Sequence, residues 1–132
     1  MAQASAPLKG LRVLVVEDEL VIAMELEGLL KQLGCIVLDP APSIRRALRL
    51  LSRERPDAAV LDVNLQGKRV TPVAEALQEQ DVPFVLVTGY AIERLHDDAL
   101  RSAEYVRKPV DEPRLVEALS KVLARDERRP NA

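Results

Sequence analysis

Short apolar runs alternate five times with stretches of helical periodicity along this chain, and no other feature narrows its fold so far. Strands that alternate with helices can be joined only by crossovers, so the pattern predicts βα units on a parallel sheet rather than segregated α and β parts. The first run is Leu11 to Val16. After it Ala23, Leu26, Leu30 and Leu33 recur at steps of three or four, giving one apolar helix stripe, and Gly34 supplies the stop. Cys35 to Leu38 reads as the second strand. Ser43 is an N-cap for a helix carrying Ile44, Ala47, Leu48 and Leu51, which ends before Pro56.

Ala58 to Leu61 is the third strand, and Thr71-Pro72 place a cap and a first-turn proline at the head of a short helix through Val73, Ala76 and Leu77. Phe84 to Val87 is the fourth strand. Ile92 to Arg101 keeps Ile92, Leu95 and Ala99 on one side, although Asp97 and Asp98 lower its helix propensity. Glu104 to Val106 reads as the fifth strand. Asp111 then caps a last helix with Leu115, Val116, Leu119, Val122 and Leu123 inward. The expected organisation is one domain over residues 10–124, with residues 1–9 and 125–132 as flexible ends.

A chain of 132 residues can bury a real core without disulfide or metal staples. With 48% hydrophobic and 30% charged residues it has the balance of a soluble globular domain rather than a disordered one. Nineteen basic against 21 acidic side chains leave no basic excess to favour nucleic acid or anionic lipid, so the expected partners are proteins. The single Cys35 sits in an apolar run and is expected to be a small buried hydrophobe. Met1 to Lys9 lack the apolar core of a signal peptide, and no run of about 20 apolar residues exists to span a bilayer. The expected location is the cytoplasm.

In a parallel sheet the carboxyl ends of the strands share one edge, where open α/β proteins place their ligands. Glu17, Asp18 and Glu19 follow the first strand, Asp62 the third, Thr88 the fourth, and the fifth leads into Lys108. Converging carboxylates repel one another until a cation intervenes. Mg²⁺ takes oxygen ligands at about 2.0 to 2.1 Å and commonly uses one or two carboxylates, so Mg²⁺ (or Mn²⁺) is the expected cofactor. Asp18 and Asp62 fit as direct ligands, Glu17 through water, and the backbone carbonyl of Asn64 by curling back. Zinc would call for His or Cys ligands, which the rim lacks. A carboxylate can also attack phosphorus, with Lys108 offsetting charge on the phosphoryl oxygens and the Thr88 hydroxyl donating to one of them.

Five signals in order, Glu17-Asp18, Asp62 within Val60-Leu61-Asp62-Val63-Asn64-Leu65, Thr88, Tyr105, and Lys108-Pro109, resemble a response-regulator receiver domain from Leu11 to about Leu123. Pro83-Phe84-Val85-Leu86-Val87-Thr88-Gly89-Tyr90 is similar to the receiver subgroup nicknamed FAT GUY. The resemblance implies a flavodoxin-like (βα)5 three-layer sandwich with strand order 2-1-3-4-5. It implies phosphotransfer onto Asp62 from a histidine kinase or a histidine phosphotransfer protein, with Mg²⁺ as cofactor and a cis Lys108-Pro109 bond. Such a chain is a switch for protein interactions rather than a turnover enzyme. Thr88, Tyr90 and Tyr105 are its candidate switch residues, and an effector or a second copy would bind through helix four, strand five and helix five. Tyr105 has a plainer reading, a ring in the core with its hydroxyl at the surface. Gln66 stands where many receivers carry proline, so the loop after Asp62 and the third helix are expected to be remodelled.

Three other functions compete. A haloacid-dehalogenase-type phosphohydrolase would carry a second Asp where this chain has Asn64. A flavin carrier would need a phosphate-binding loop where Glu17 and Asp18 stand, and neither nucleotide-binding glycine motif occurs. A receiver-like interaction module that is never phosphorylated would not need the intact acids, Thr88 and Lys108. His96, with no second ligand nearby in sequence, reads as an exposed helix residue.

Overall fold

The computed structural model describes residues 8–89 and 98–128. Along them run β1 (Arg12–Val16), α1 (Leu20–Gln32), β2 (Ile36–Val37), α2 (Ile44–Leu51), β3 (Ala58–Asp62), β4 (Asn64–Leu65), β5 (Lys68–Arg69), α3 (Thr71–Glu79), β6 (Phe84–Thr88), α4 (Asp98–Arg101), β7 (Tyr105–Arg107) and α5 (Glu112–Arg128). Five strands make one parallel sheet in the order β2-β1-β3-β6-β7, while β4 and β5 pair antiparallel as a separate hairpin. Counting the parallel strands alone, this is the expected 2-1-3-4-5 order of the flavodoxin-like α/β fold.

Side-chain alternation along each strand divides the interior into two layers. Val13, Val15, Ala58, Val60, Val85 and Val87 pack with Leu26 and Leu30 of α1 and Leu115 and Leu119 of α5. Leu14, Val16, Ala59, Leu61, Phe84 and Leu86 face the other way, onto Ala47 and Leu51 of α2, Val73 and Leu77 of α3, and Leu100 of α4. Because helices cover both faces, β3 and β6 are buried along their whole length, which is why they read in sequence as continuous apolar runs.

Helix ends follow local chemistry. The Ser43 hydroxyl accepts from the Arg46 amide at 3.1 Å, and Asp111 Oδ1 accepts from the Arg114 amide at 3.0 Å, so both expected caps form. Gly34 stops α1 at φ +90°, and a Cβ there would lie 3.1 Å from the Lys9 backbone. Cys35 is buried.

Several details differ from the sequence reading. β1 starts at Arg12 and β7 spans Tyr105–Arg107, while β3 and β6 each continue one residue, to Asp62 and Thr88. β2 is only Ile36–Val37, an edge strand that soon reaches Pro40, which has no N–H to donate. Thr71 is the first residue of α3 rather than its cap; Val70 occupies the cap position, and no side chain caps it. Leu48 is 36% exposed, because the buried stripe of α2 passes through Ala47 and Leu51 with Leu50 partly covered. Leu8, placed in the flexible N-terminal segment, is fully buried in the layer shared by α1 and α5. α5 continues through Arg128, beyond the expected domain end at residue 124. The β4–β5 hairpin was not anticipated. Of the expected fourth helix only Asp98–Arg101 falls within the described residues, and Tyr90, Ile92, Leu95, His96 and Asp97 lie outside them. No helix among the described residues is long and apolar enough to cross a membrane.

Strand register builds the functional edge. Val16 lies opposite Leu61, Asp62 opposite Val87, and Thr88 opposite Arg107. Glu17, Asp62, Thr88 and Lys108 therefore emerge at the same level on neighbouring strands.

Candidate functional site

Glu17 and Asp18 occupy the turn between β1 and α1, outside the helix itself. Glu19 is its cap residue without a side-chain bond, and the first turn of α1 contains no acid. The acids are used across the edge instead. Glu17, Asp18 and Asp62 each offer a carboxylate oxygen, and these atoms lie within 4.8 Å of one another. Opposite them is the ammonium of Lys108, 3.5 Å from Glu17 Oε1 and 3.6 Å from Asp62 Oδ1. Lys108 is thus the one described cation that bridges two of the three acids.

Burial sets the electrostatics. Glu17 is 2% exposed and Asp62 7%, so ionising either carboxyl costs desolvation. Desolvation pushes Glu17 up to about 7; the Glu19 amide, which donates to Oε2 at 3.1 Å, pulls it down, the Asp62 charge adds to the rise, and Lys108 opposes it. Asp62 is also raised by burial, but Lys108, the Glu17 carboxyl and the Asn64 backbone amide hold that rise back. Burial thus raises both carboxyls, and the contact between them adds to the rise at Glu17 while opposing it at Asp62. Glu17 Oε1 is buried without a hydrogen-bond partner among the described residues.

Three carboxyl groups facing a single ammonium, with Glu17 Oε1 buried and accepting no hydrogen bond among the described residues, make an all-oxygen donor set that suits a hard divalent cation. The residues present fit such an ion.

Thr88 is 1% exposed at the end of β6, and its carbonyl accepts the Lys108 amide at 2.8 Å, so the two expected phosphoryl-binding residues are joined through backbone. The Lys108-Pro109 bond is cis, as the resemblance implies. Asn64 opens β4 and meets the site through its amide, which donates to Asp62, while its side-chain oxygen accepts from Arg69 at 3.1 Å. Tyr105 is not among the residues that meet the acids; it is partly buried against the core layer formed with α2, α3 and Leu100 of α4. Tyr90 lies outside the described residues. One contact escaped the sequence reading altogether: Asp18 Oδ2 accepts the Gln66 backbone amide at 3.0 Å.

With this geometry in place, comparison with known proteins decides the family. The family profile of the response regulator receiver domain matches residues 13–120. The chain belongs to that family. Among curated proteins, the sensory transduction protein LytT of Bacillus cereus is 33% identical over a 117-residue alignment that covers 84% of this chain and 46% of LytT. The chain spans about half the length of the curated relatives it matches. Among solved structures, SdrG from Sphingomonas melonis Fr1 superposes with a TM-score of 0.76 at 37% identity, over 86% of this chain and 97% of SdrG. The receiver domain of Erythrobacter litoralis PhyR gives 0.80 at 29% identity, over 96% of this chain and 99% of that domain.

Proposed function

We propose that this receiver domain takes a phosphoryl group on Asp62 from the phosphohistidine of a histidine kinase or a histidine phosphotransfer protein, and that the modified state changes what the domain binds. The observation that carries this reading is the convergence of Glu17, Asp18 and Asp62 within 4.8 Å, with Lys108 close to two of them. Asp62 is the acceptor because it ends β3 beside Lys108, its backbone locked in the sheet opposite Val87.

In the transfer, an Asp62 oxygen attacks phosphorus, the P–N bond breaks, and its electron pair leaves on the imidazole. Lys108 offsets charge on the phosphoryl oxygens, and the Thr88 hydroxyl donates to one of them. Asp18 and Asp62 would hold Mg²⁺ or Mn²⁺ directly, with Glu17 through water and the Asn64 carbonyl completing the protein ligands. When bound, the cation supplies positive charge that screens the acids from the incoming phosphoryl group. Burial pushes the Glu17 carboxyl up to about 7, and positive charge arriving beside it would favour loss of its proton. The modified domain acts as a switch on protein partners, with α4, β7 and α5 as the face that engages an effector or a second copy.

Incubation with Mg²⁺ and a small phosphodonor, followed by intact mass, tests this reading. The expected result is a gain of one phosphoryl group that a chelator abolishes. A domain that gains nothing in Mg²⁺ would be an interaction module with an unused acidic edge.

A further inference from the structure

The β4–β5 hairpin closes over the acidic edge by one backbone bond, Gln66 N–H to Asp18 Oδ2 at 3.0 Å. From that contact we infer that Gln66 is a positioning residue for the cation site, acting through its amide and its left-handed backbone rather than through its side chain. The inference rests on the reading of Glu17, Asp18 and Asp62 as cation ligands.

The hairpin is made to present that amide. Asn64 pairs with Arg69 and Leu65 with Lys68, which leaves Gln66 and Gly67 as a two-residue loop with φ +53° and +82°. Two successive positive φ values are the requirement of the tight hairpin turn whose twist matches its strands. Its base is anchored. Leu65 is 1% exposed in the core, and the Val70 amide donates to the Val63 carbonyl at 2.9 Å, while Arg69 holds the Asn64 side chain. An anchored turn places the Gln66 amide at a fixed point above the β1–α1 turn.

A carboxylate with one oxygen tied to a fixed amide cannot rotate freely about its Cβ–Cγ bond. Asp18 is 48 residues away in sequence and lies on a loop, so this is the contact that presets its orientation. Proline at position 66 would remove the donor, and its φ near −65° is incompatible with +53°. The chain's departure from the proline that many receivers carry here follows from this geometry. Gln66 is the residue at which an N–H and a left-handed backbone are needed together.

Partners that orient metal ligands typically change affinity by about 10- to 100-fold when removed. Mn²⁺ titrations followed by electron paramagnetic resonance give the comparison, with Gln66→Gly, Gln66→Pro and Asp18→Asn beside the unaltered chain. Gln66→Gly keeps the amide and relieves the backbone, so it should bind Mn²⁺ as the unaltered chain does. Gln66→Pro should bind about 10-fold or more weakly. Equal affinity of the proline and glycine variants, with Asp18→Asn clearly weaker, would overturn the inference and leave the ligand assignment standing. Asp18→Asn binding as tightly as the unaltered chain would instead break the ligand assignment beneath it. If Gln66→Pro does not fold in chelator, the amide proton of Gln66 decides in its place. Its resonance should move upfield in Asp18→Asn, and an unmoved resonance would overturn the inference.

Discussion

Glu17 is a carboxyl group buried to 2% exposure, its Oε1 accepting no hydrogen bond among the described residues, and that arrangement has a pH signature. Its pKa rises from 4.5 to about 7 on folding, chiefly through desolvation. A group raised in the folded state stabilises the fold fully below its unfolded pKa, and that contribution is lost as pH climbs through the folded value. Asp62, also raised, acts in the same direction. In chelator, thermal stability should therefore decline between pH 4.5 and 7, by on the order of 1 to 3 kcal/mol. Glu17→Gln should flatten most of that decline in melts across the range, and an equally steep decline in the variant would contradict the account. Saturating Mg²⁺ should reduce the slope, because the cation favours the ionised acids. Affinity for Mg²⁺ should correspondingly increase as pH rises toward 7. Asp18→Ala should weaken Mg²⁺ binding more than Glu17→Ala does in a calorimetric titration, since only Asp18 is assigned as a direct ligand; the reverse order would refute that division.

Elements that bury a periodic apolar face hold the edge in place. Leu30 of α1 and Leu86 of β6 are fully buried, and replacing either by alanine should cost about 2 to 5 kcal/mol in urea unfolding. Removing the cap at Ser43 or Asp111 should cost about 1 kcal/mol, and no measurable loss in either variant would mean that those helix ends draw nothing from their caps. These same elements were legible in the sequence, because burial enforces a helical period at Leu26 and Leu30 and a continuous apolar run from Phe84 to Val87. The β4–β5 hairpin was not legible. Its strands are two residues long, too short to display alternation, and Gln66-Gly67 is not the Asn-Gly pair that usually signals such a turn. Leu8 escaped for a similar reason: one leucine between Pro7 and Lys9 has no period, and only the tertiary fold buries it. Glu17, Asp18, Asp62, Thr88 and Lys108 could be read in advance because each directly follows or ends a recognisable strand. The bond between Asp18 and Gln66 could not, since it joins a loop to a turn whose conformation no pattern announced.

At the scale of the molecule, the parallel sheet brings the ends of four strands, β1, β3, β6 and β7, to a single edge and then links that edge to the face carrying Tyr105. The Lys108 amide bonds the Thr88 carbonyl, and two residues earlier Val106 lies opposite Val87, with Tyr105 opposite Leu86. A phosphoryl group adds roughly −1.5 to −2 charge at the edge. A pull on Thr88 would act on β7 through this register and reach Tyr105, which is partly buried against the core layer that holds Leu86 and Leu100. Backbone NMR with Mg²⁺, before and after a beryllofluoride phosphate mimic, should move the resonances of Thr88, Lys108 and Tyr105 together. Changes confined to the turns that carry Asp18 and Asn64 would sink this route to the output face. The switch itself depends on which atom receives the phosphoryl group. The most direct test is intact mass of the chain and of Asp62→Asn after identical exposure to Mg²⁺ and a small phosphodonor. The account predicts one added phosphoryl group on the unaltered chain and none on Asp62→Asn, and an equal gain on both would contradict it.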